Sequence, residues 1–266
     1  MAYGGLDLTG KTVLVTGGNS GIGLGMAEAM AAAGADVAIW GLKPERNAEA
    51  RARLLRHGRR VHDAICDVSD EQAVEREIAA TLSALGRLDA CFANAGVTGR
   101  GGPHRIFSEM TTAEWHRVTR VHIDGTFFTF RAATRAMLAQ GTGGSLVATG
   151  SAFGIFGHPW VEHYAASKAA VASLARCLAV ELGPHGIRAN TIVPGYVDTP
   201  LTNARINSAE FTADMMPRQA VPRWGVPEDF GGIAVYLASD ASRWTTGATF
   251  VIDGGFTVAA KVAPKT

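Results

Sequence analysis

Short apolar runs rich in β-branched residues alternate along this chain with longer segments whose apolar positions recur at helical spacing. Residues 12–16, 36–40, 60–65, 88–93, 144–149, 187–193 and 249–252 read as strands. They are continuously apolar rather than alternating, the pattern of parallel strands covered on both faces. Helices are predicted between them near 21–33, 44–56, 70–84, 111–139, 158–182 and 227–239. Ser69-Asp70-Glu71-Gln72 resembles a capping box with Ser69 as the cap, and Pro227 followed by Glu228 and Asp229 suits a first helical turn. Repeated strand–helix units with right-handed crossovers give an α/β fold of three layers, doubly wound, with a mostly or fully parallel seven-stranded sheet. No linker-like stretch interrupts the alternation, so residues 1–266 are expected to form one domain. One region breaks the rhythm. Residues 195–226 form a long irregular segment with Phe211, Met215, Met216 and Trp224, and are expected to act as a substrate-binding lid.

Composition narrows the class. With 266 residues, 47% hydrophobic and 18% charged, the chain can bury a substantial core, and its net charge of +1 gives no electrostatic case for nucleic acid or a membrane surface. No apolar run reaches the ~20 residues of a membrane span, and residues 1–9 lack the pattern of a signal peptide. Cys66, Cys91 and Cys177 lie in apolar segments without metal-like spacing and read as reduced core residues, which points to the cytoplasm. The eight histidines show no metal-ligand spacing, so no metal site is expected.

The chemistry is carried by a few polar residues. Tyr164 and Lys168 stand at i and i+4, on one face if their segment is helical, with Ser151 thirteen positions earlier. An ammonium beside a phenol favours the phenolate, which would let the tyrosine exchange a proton near neutral pH. Interconverting a carbonyl and an alcohol requires such a group, and a serine hydroxyl alongside can hydrogen-bond the reacting oxygen. Directly after the first strand, Thr16-Gly17-Gly18-Asn19-Ser20-Gly21-Ile22-Gly23 opens a helix. Glycines there permit a tight turn and close approach of a pyrophosphate to a helix N-terminus, the dinucleotide turn of a Rossmann fold. No lysine follows the last glycine, so the turn is not a P-loop. Asp67 reads either as an acceptor for an adenine amine or as a cap for the next helix, and Asn94-Ala95-Gly96 as a ligand edge or a bend.

Taken together these residues resemble the short-chain dehydrogenase/reductase family, in its compact single-domain branch. The resemblance runs from the Thr16 turn through Asp67, Asn94-Ala95-Gly96, Ser151, Tyr164 with Lys168, and Pro194-Gly195 with Thr199, to Asp253-Gly254-Gly255. It implies a nicotinamide cofactor across the strand ends, with Tyr164 as general acid/base and Ser151 orienting the carbonyl. Lys168 would hold the ribose hydroxyls, keep the tyrosine's pKa low and relay a proton through water. The cofactor would be contacted by Gly17, Asn19, Ser20, Gly21, Ile22 and Gly23, by Leu42 and Lys43, and by Asp67 and Val68. Asn94, Ala95, Gly96, Tyr164, Lys168, Pro194, Gly195, Val197 and Thr199 would complete its site, with Thr199 near the carboxamide.

Two departures matter. The family usually has an asparagine in the central helix whose backbone holds a relay water; here His122 occupies that position in His122-Ile123-Asp124-Gly125. Either the backbone of a kinked helix suffices whatever the side chain, the reading preferred here, or His122 is a titratable member of the relay. The second strand ends in Trp40-Gly41-Leu42-Lys43, so Gly41 stands where NAD-preferring relatives carry a carboxylate for the 2′-hydroxyl. Neither Ser20 nor Leu42 is basic; Lys43 and Arg46 are within reach of a 2′-phosphate, and the missing carboxylate tilts the choice slightly from NAD toward NADP.

Phe153, Phe156, Trp160, Tyr196 and the 195–226 segment suggest a pocket wall for a hydrophobic or cyclic small molecule, with Ser151, Phe153 and Tyr196 touching it. His158 and His163 are expected to hydrogen-bond near the start of the tyrosine's helix or at an interface, and residues 98–105 to form a rim loop. Phe127, Phe128, Phe130, Val171, Leu174 and Leu178 put apolar side chains on more than one helix face. In the family the equivalent helices build a dimer face, and a homotetramer is expected. A 3-oxoacyl-carrier reductase would want a basic docking patch that the balanced charge does not reveal. A silent dinucleotide-binding regulator would be expected to lose one of Ser151, Tyr164 and Lys168, and all three are present.

Overall fold

The computed structural model describes residues 4–99 and 106–259. Seven strands, β1 (Thr12–Thr16), β2 (Asp36–Gly41), β3 (Val61–Ile65), β4 (Ala90–Ala93), β5 (Gly144–Thr149), β6 (Ile187–Pro194) and β7 (Thr249–Ile252), form one sheet. Its order is β3-β2-β1-β4-β5-β6-β7, and every pair is parallel. The strand order reverses between β1 and β4, which opens a crevice at their carboxyl ends.

Helices cover both faces. On one side α1 (Gly21–Ala32), α2 (Pro44–Leu55) and α9 (Gly231–Ala238) bury Met26, Met30, Leu54 and Leu237 against Val13 and Val15. On the other, α3 (Glu71–Leu85), α5 (Gly125–Gln140) and α6 (Glu162–Leu182) bury Ile78, Phe130, Met137 and Val171 against Leu14. Val13, Leu14 and Val15 thus serve both layers, which is why the strands read as continuously apolar. The edge strands β3 and β7 are only partly covered.

Four local expectations need correction. Helix α3 is capped by Asp70, whose Oδ1 accepts from Gln72 N and Ala73 N, while the Ser69 hydroxyl donates to Asp67. A carboxylate at the helix N-terminus serves both as acceptor and as dipole partner. The helix expected at 111–139 is broken: α4 (Thr112–Thr119) passes through a π turn, Arg120–Asp124, before α5. Third, the tyrosine's helix starts at Glu162, because Trp160 just before it takes a left-handed φ of 67°. Cys66 and Cys91 are buried, but Cys177 is exposed on α6.

The segment expected to be irregular carries short helices, α7 (Asn203–Ile206) and α8 (Ala209–Met215), and Phe211 stacks on Trp224 at 5.8 Å. Of the rim loop at 98–105, residues 100–105 lie outside the described residues. Among the described residues no helix is long and apolar enough to cross a membrane, and no cluster of three or more His, Cys, Asp or Glu could hold a metal.

Candidate active site

The crevice between β1 and β4 is stitched shut at its base by small polar groups. The Thr16 hydroxyl accepts from the backbone N–H of Asn94 and of Ala95, each at 3.0 Å. The Asn94 amide donates to Thr16 O at 3.1 Å and accepts from the Thr149 hydroxyl at 3.3 Å. Asn94 therefore brackets the ends of β1, β4 and β5, a role beyond the ligand edge or bend read from the sequence. Thr149 was not singled out in the sequence, and Thr16 only as the first residue of the glycine turn; small hydroxyls at strand ends were the available signal.

Above this base lies the glycine turn. Gly17 has φ 64°, and a Cβ on Gly23 would sit 2.3 Å from Gly17 O. No side chain fits there, and Ser20 precedes α1 without a side-chain capping bond, so the first N–H groups of α1 are not capped by it. A cradle of bare backbone at a helix N-terminus fits a pyrophosphate. Thr199 packs on Gly21, where a Cβ would lie 3.2 Å from the threonine methyl, so the segment after β6 crosses the turn. Pro194 ends β6, Gly195 follows it, and Val197 is buried beyond them. Ile22 packs against the α1-side core, and Val68 lies against Gly125. Asp67 Oδ1 accepts from Ser69 N and Oγ, an exposed local turn, while Leu42 and Lys43 are exposed at the start of α2.

Ser151, Tyr164 and Lys168 converge on the neighbouring strand end. Ser151 ends the β5 side and accepts from Phe153 N at 3.2 Å; Lys168 reaches back from α6 and donates to Thr149 O at 2.8 Å. The lysine nitrogen lies 5.8 Å from the Tyr164 ring centre. Burial pushes the lysine's pKa down to about 8. Burial also raises that of Tyr164, against a smaller lowering by its hydrogen bond with Ser151. The tyrosine expected to be acidified by the lysine is thus held protonated here, and the lysine is the member that titrates near neutrality. The cause is burial, which disfavours charge on the phenol and on the ammonium alike.

His122 sits in the π turn, buried. Its Nε2 accepts from Val97 N at 3.0 Å, which places the proton on Nδ1, and Nδ1 donates to the Ser167 hydroxyl at 2.8 Å. Ser167 in turn donates to Tyr164 O at 2.7 Å. With burial, and secondarily the Lys168 charge, opposing protonation, its pKa falls to about 2. The geometry favours a neutral bracket over the titratable relay member included among the expected catalytic residues. Gly96 lies against the ring, and Gly99 against Tyr164, where a Cβ would come within 2.4 Å of the tyrosine's.

Ser151 and Tyr164 open into a cavity of about 330 Å³ walled by Phe153, Val161, Tyr196, Leu201, Phe211 and Phe256. Phe153 and Tyr196 lie where the sequence reading put them. Trp160 does not line the cavity and is 49% exposed, because the left-handed turn carries it outward. Phe156 stands behind, against Phe153 and Phe256. Leu201 and Arg205 belong to the 195–226 segment expected to wall the pocket, though neither was named singly, and Phe256 was missed. Asp253 holds the turn that carries Phe256, accepting from Gly255 N and Thr257 N, and it packs against Gly195.

A second polar cluster braces the rim. Glu114 of α4 is buried, accepts both guanidinium bonds of Arg117 at 2.8 Å, and meets His163 Nε2 at 3.1 Å. The Arg117 bonds, with a lesser part from His163, bring its carboxyl down to about 2. Arg117 also donates to Thr98 O at 2.9 Å. His163 thus meets α4 near the start of its helix, and His158 stacks edge-on to Phe153.

A phosphate cradle at the switch point and a Ser–Tyr–Lys group beside it define a dinucleotide-dependent oxidoreductase. The comparisons agree. Residues 17–257 match the family model described as Enoyl-(Acyl carrier protein) reductase. The chain is 37% identical to 2,5-dichloro-2,5-cyclohexadiene-1,4-diol dehydrogenase of Sphingobium indicum, over 94% of this chain and 98% of that one. It is 36% identical to L-rhamnose 1-dehydrogenase (NAD(P)(+)) of a Sphingomonas species, with the same coverage. A gluconate 5-dehydrogenase structure from Burkholderia cenocepacia, in complex with NADP and tartrate, superposes with a TM-score of 0.91 at 32% identity, covering 98% of this chain and 100% of that chain. The chain belongs to the short-chain dehydrogenase/reductase family, and it is an enzyme that uses NAD or NADP.

Proposed function

We propose that this enzyme interconverts a small cyclic or polyhydroxylated secondary alcohol and its ketone, with Tyr164 as the acid/base. The observation that carries the reading is that Ser151 and Tyr164 face one aromatic-walled cavity of about 330 Å³, the scale of a single ring or sugar. The relatives' names, a cyclic diol dehydrogenase and sugar dehydrogenases, lean the same way. Nothing in the cavity favours a carrier-bound acyl chain.

The glycine turn from Gly17 to Gly23 would hold the pyrophosphate, Asp67 and Val68 the adenine side, and Pro194, Gly195, Val197 and Thr199 the nicotinamide end, beside Asn94-Ala95-Gly96. When bound, the cofactor supplies or accepts the hydride at the carbinol carbon. Ser151 hydrogen-bonds the reacting oxygen. Tyr164, kept protonated by burial, gives that oxygen its proton in the reductive direction. Lys168, with its pKa near 8, restores the proton and removes it in the oxidative direction. The bracket from Val97 through His122 and Ser167 to Tyr164 O fixes the tyrosine's turn of α6.

Residues 195–226 act as the lid of this single domain. The exposed apolar groups on α5 and α6, among them Phe127 at 43% and Val180 at 82%, belong to subunit contacts of a homotetramer. The site of action is the cytoplasm.

The direct test is Tyr164→Phe with a panel of alcohols, ketones and an acyl thioester. Turnover is expected to fall by at least ~10²–10⁴-fold while cofactor binding and Tm hold. Undiminished turnover would sink the mechanism, and preference for the thioester would sink the substrate class.

A further inference from the structure

The end of β2 is where an NAD-preferring enzyme presents a carboxylate to the adenosine 2′-hydroxyl. Here Gly41 leaves that place open in sequence, yet it is filled in space. A Cβ on Gly41 would lie 2.1 Å from Asn19 Nδ2 and 2.6 Å from Asn47 Oδ1. The Asn19 amide, from the glycine turn, donates to Asn47 Oδ1 at 2.7 Å. Asn47 is 1% exposed on the inner face of α2, beside Ala50 and Leu54 in the helix's buried set. Its own NH₂ donates to Gly41 O at 3.1 Å and Ala64 O at 2.9 Å.

A buried asparagine at a position that otherwise suits an apolar side chain costs desolvation unless every group is met, and here both N–H groups and the carbonyl are. The arrangement fixes the Asn19 carboxamide over the end of β2. After its bond to Asn47, Asn19 retains one N–H and its carbonyl oxygen. A carboxamide can accept from a hydroxyl or donate to a phosphate, whereas a carboxylate repels the latter. Lys43 and Arg46 are exposed nearby on either side of Glu45 in the first turn of α2, and Gly41 itself presents no carboxylate to a phosphate.

We propose that Asn19, locked by Asn47, replaces the missing acid and reads the adenosine 2′ position, so that the enzyme binds NAD and NADP with affinities within ~10-fold of each other, about 1.4 kcal/mol. The inference rests on the dinucleotide reading of the glycine turn.

Fluorescence titration with NADH, NADPH and 2′-deoxy-NADH tests it without reference to turnover. For Asn19→Ala, Kd is expected to rise ~5–10-fold for NADH and NADPH and to stay unchanged for 2′-deoxy-NADH, which has nothing at 2′ to read. An equal loss for all three, or no loss, overturns the assignment, since a merely structural role moves all three together. Asn47→Leu is expected to give the same selective loss, with Tm recorded alongside; a loss that includes the 2′-deoxy analogue overturns the locking role. Gly41→Asp alone is expected to weaken both natural cofactors, because the new side chain meets Asn19. The double variant Asn19→Gly with Gly41→Asp should restore NADH binding and lower NADPH binding ~100-fold or more. If Gly41→Asp alone binds NADH as the double variant does, the space is not held by Asn19 and the proposal fails. Native protein that binds none of the three would instead overturn the dinucleotide reading itself, and this proposal with it.

Discussion

His122 carries the most information per atom. In the unfolded chain its imidazole titrates near ~6.5, while in the fold its pKa is about 2. Between these values the unfolded state binds more protons, so stability falls as pH drops below ~6.5, by ~2 kcal/mol at pH 5. Replacing it in His122→Asn should therefore narrow the difference in urea midpoint between pH 7 and pH 5. The pH profile of turnover from 6 to 9 should stay in place, since His122 does not titrate there; a moved profile would restore it to the relay. The sequence could place this histidine beside the lysine but could not set its protonation state. That depended on burial, and its tautomer on Val97 and Ser167, brought in from two other elements. The same holds for Tyr164 and Lys168: their spacing on α6 was legible, whereas the division of proton affinity between them followed from burial.

Among elements, the break between α4 and α5 and the bracing of the rim were the least legible. Apolar periodicity runs through 111–139 without interruption, and no proline or glycine pair marks the π turn. Such a turn inserts one residue and so shifts the register of everything after it. Strand existence was easier, because a strand buried on both faces needs only a short apolar run. On the rim, Arg117 ties Thr98 O to Glu114 and so joins the pocket edge to α4. Arg117→Met should raise KM about fivefold with kcat little changed, the worth of one partly exposed charge-assisted hydrogen bond of ~1 kcal/mol. Steady-state kinetics with the best panel substrate would decide, and an effect on kcat alone would contradict the bracing.

For the whole molecule, the class was readable because a parallel sheet with alternating helices admits few topologies, while the strand order came from the structure. Assembly is a different matter, since a monomeric fold shows apolar surface without its occupant. Val180 is 82% exposed on α6, and Val180→Glu should shift the native species to a smaller one by light scattering, leaving the monomer's circular dichroism intact. A native protein already monomeric at micromolar concentration would reject the tetramer.

Phe256 and the Asp253 turn give this architecture a temporal dimension. The cradle at Gly17 precedes the cavity wall in chain order, and Phe256, beyond β7, is the last piece of that wall. Because β7 pairs with β6 and carries that turn behind it, a growing chain holds Ser151, Tyr164 and Lys168 before the wall around the substrate is complete. Competence to turn over therefore waits on Phe256 rather than on the residues that handle a proton. A single cut after β6 would abolish it while sparing every residue that handles a proton.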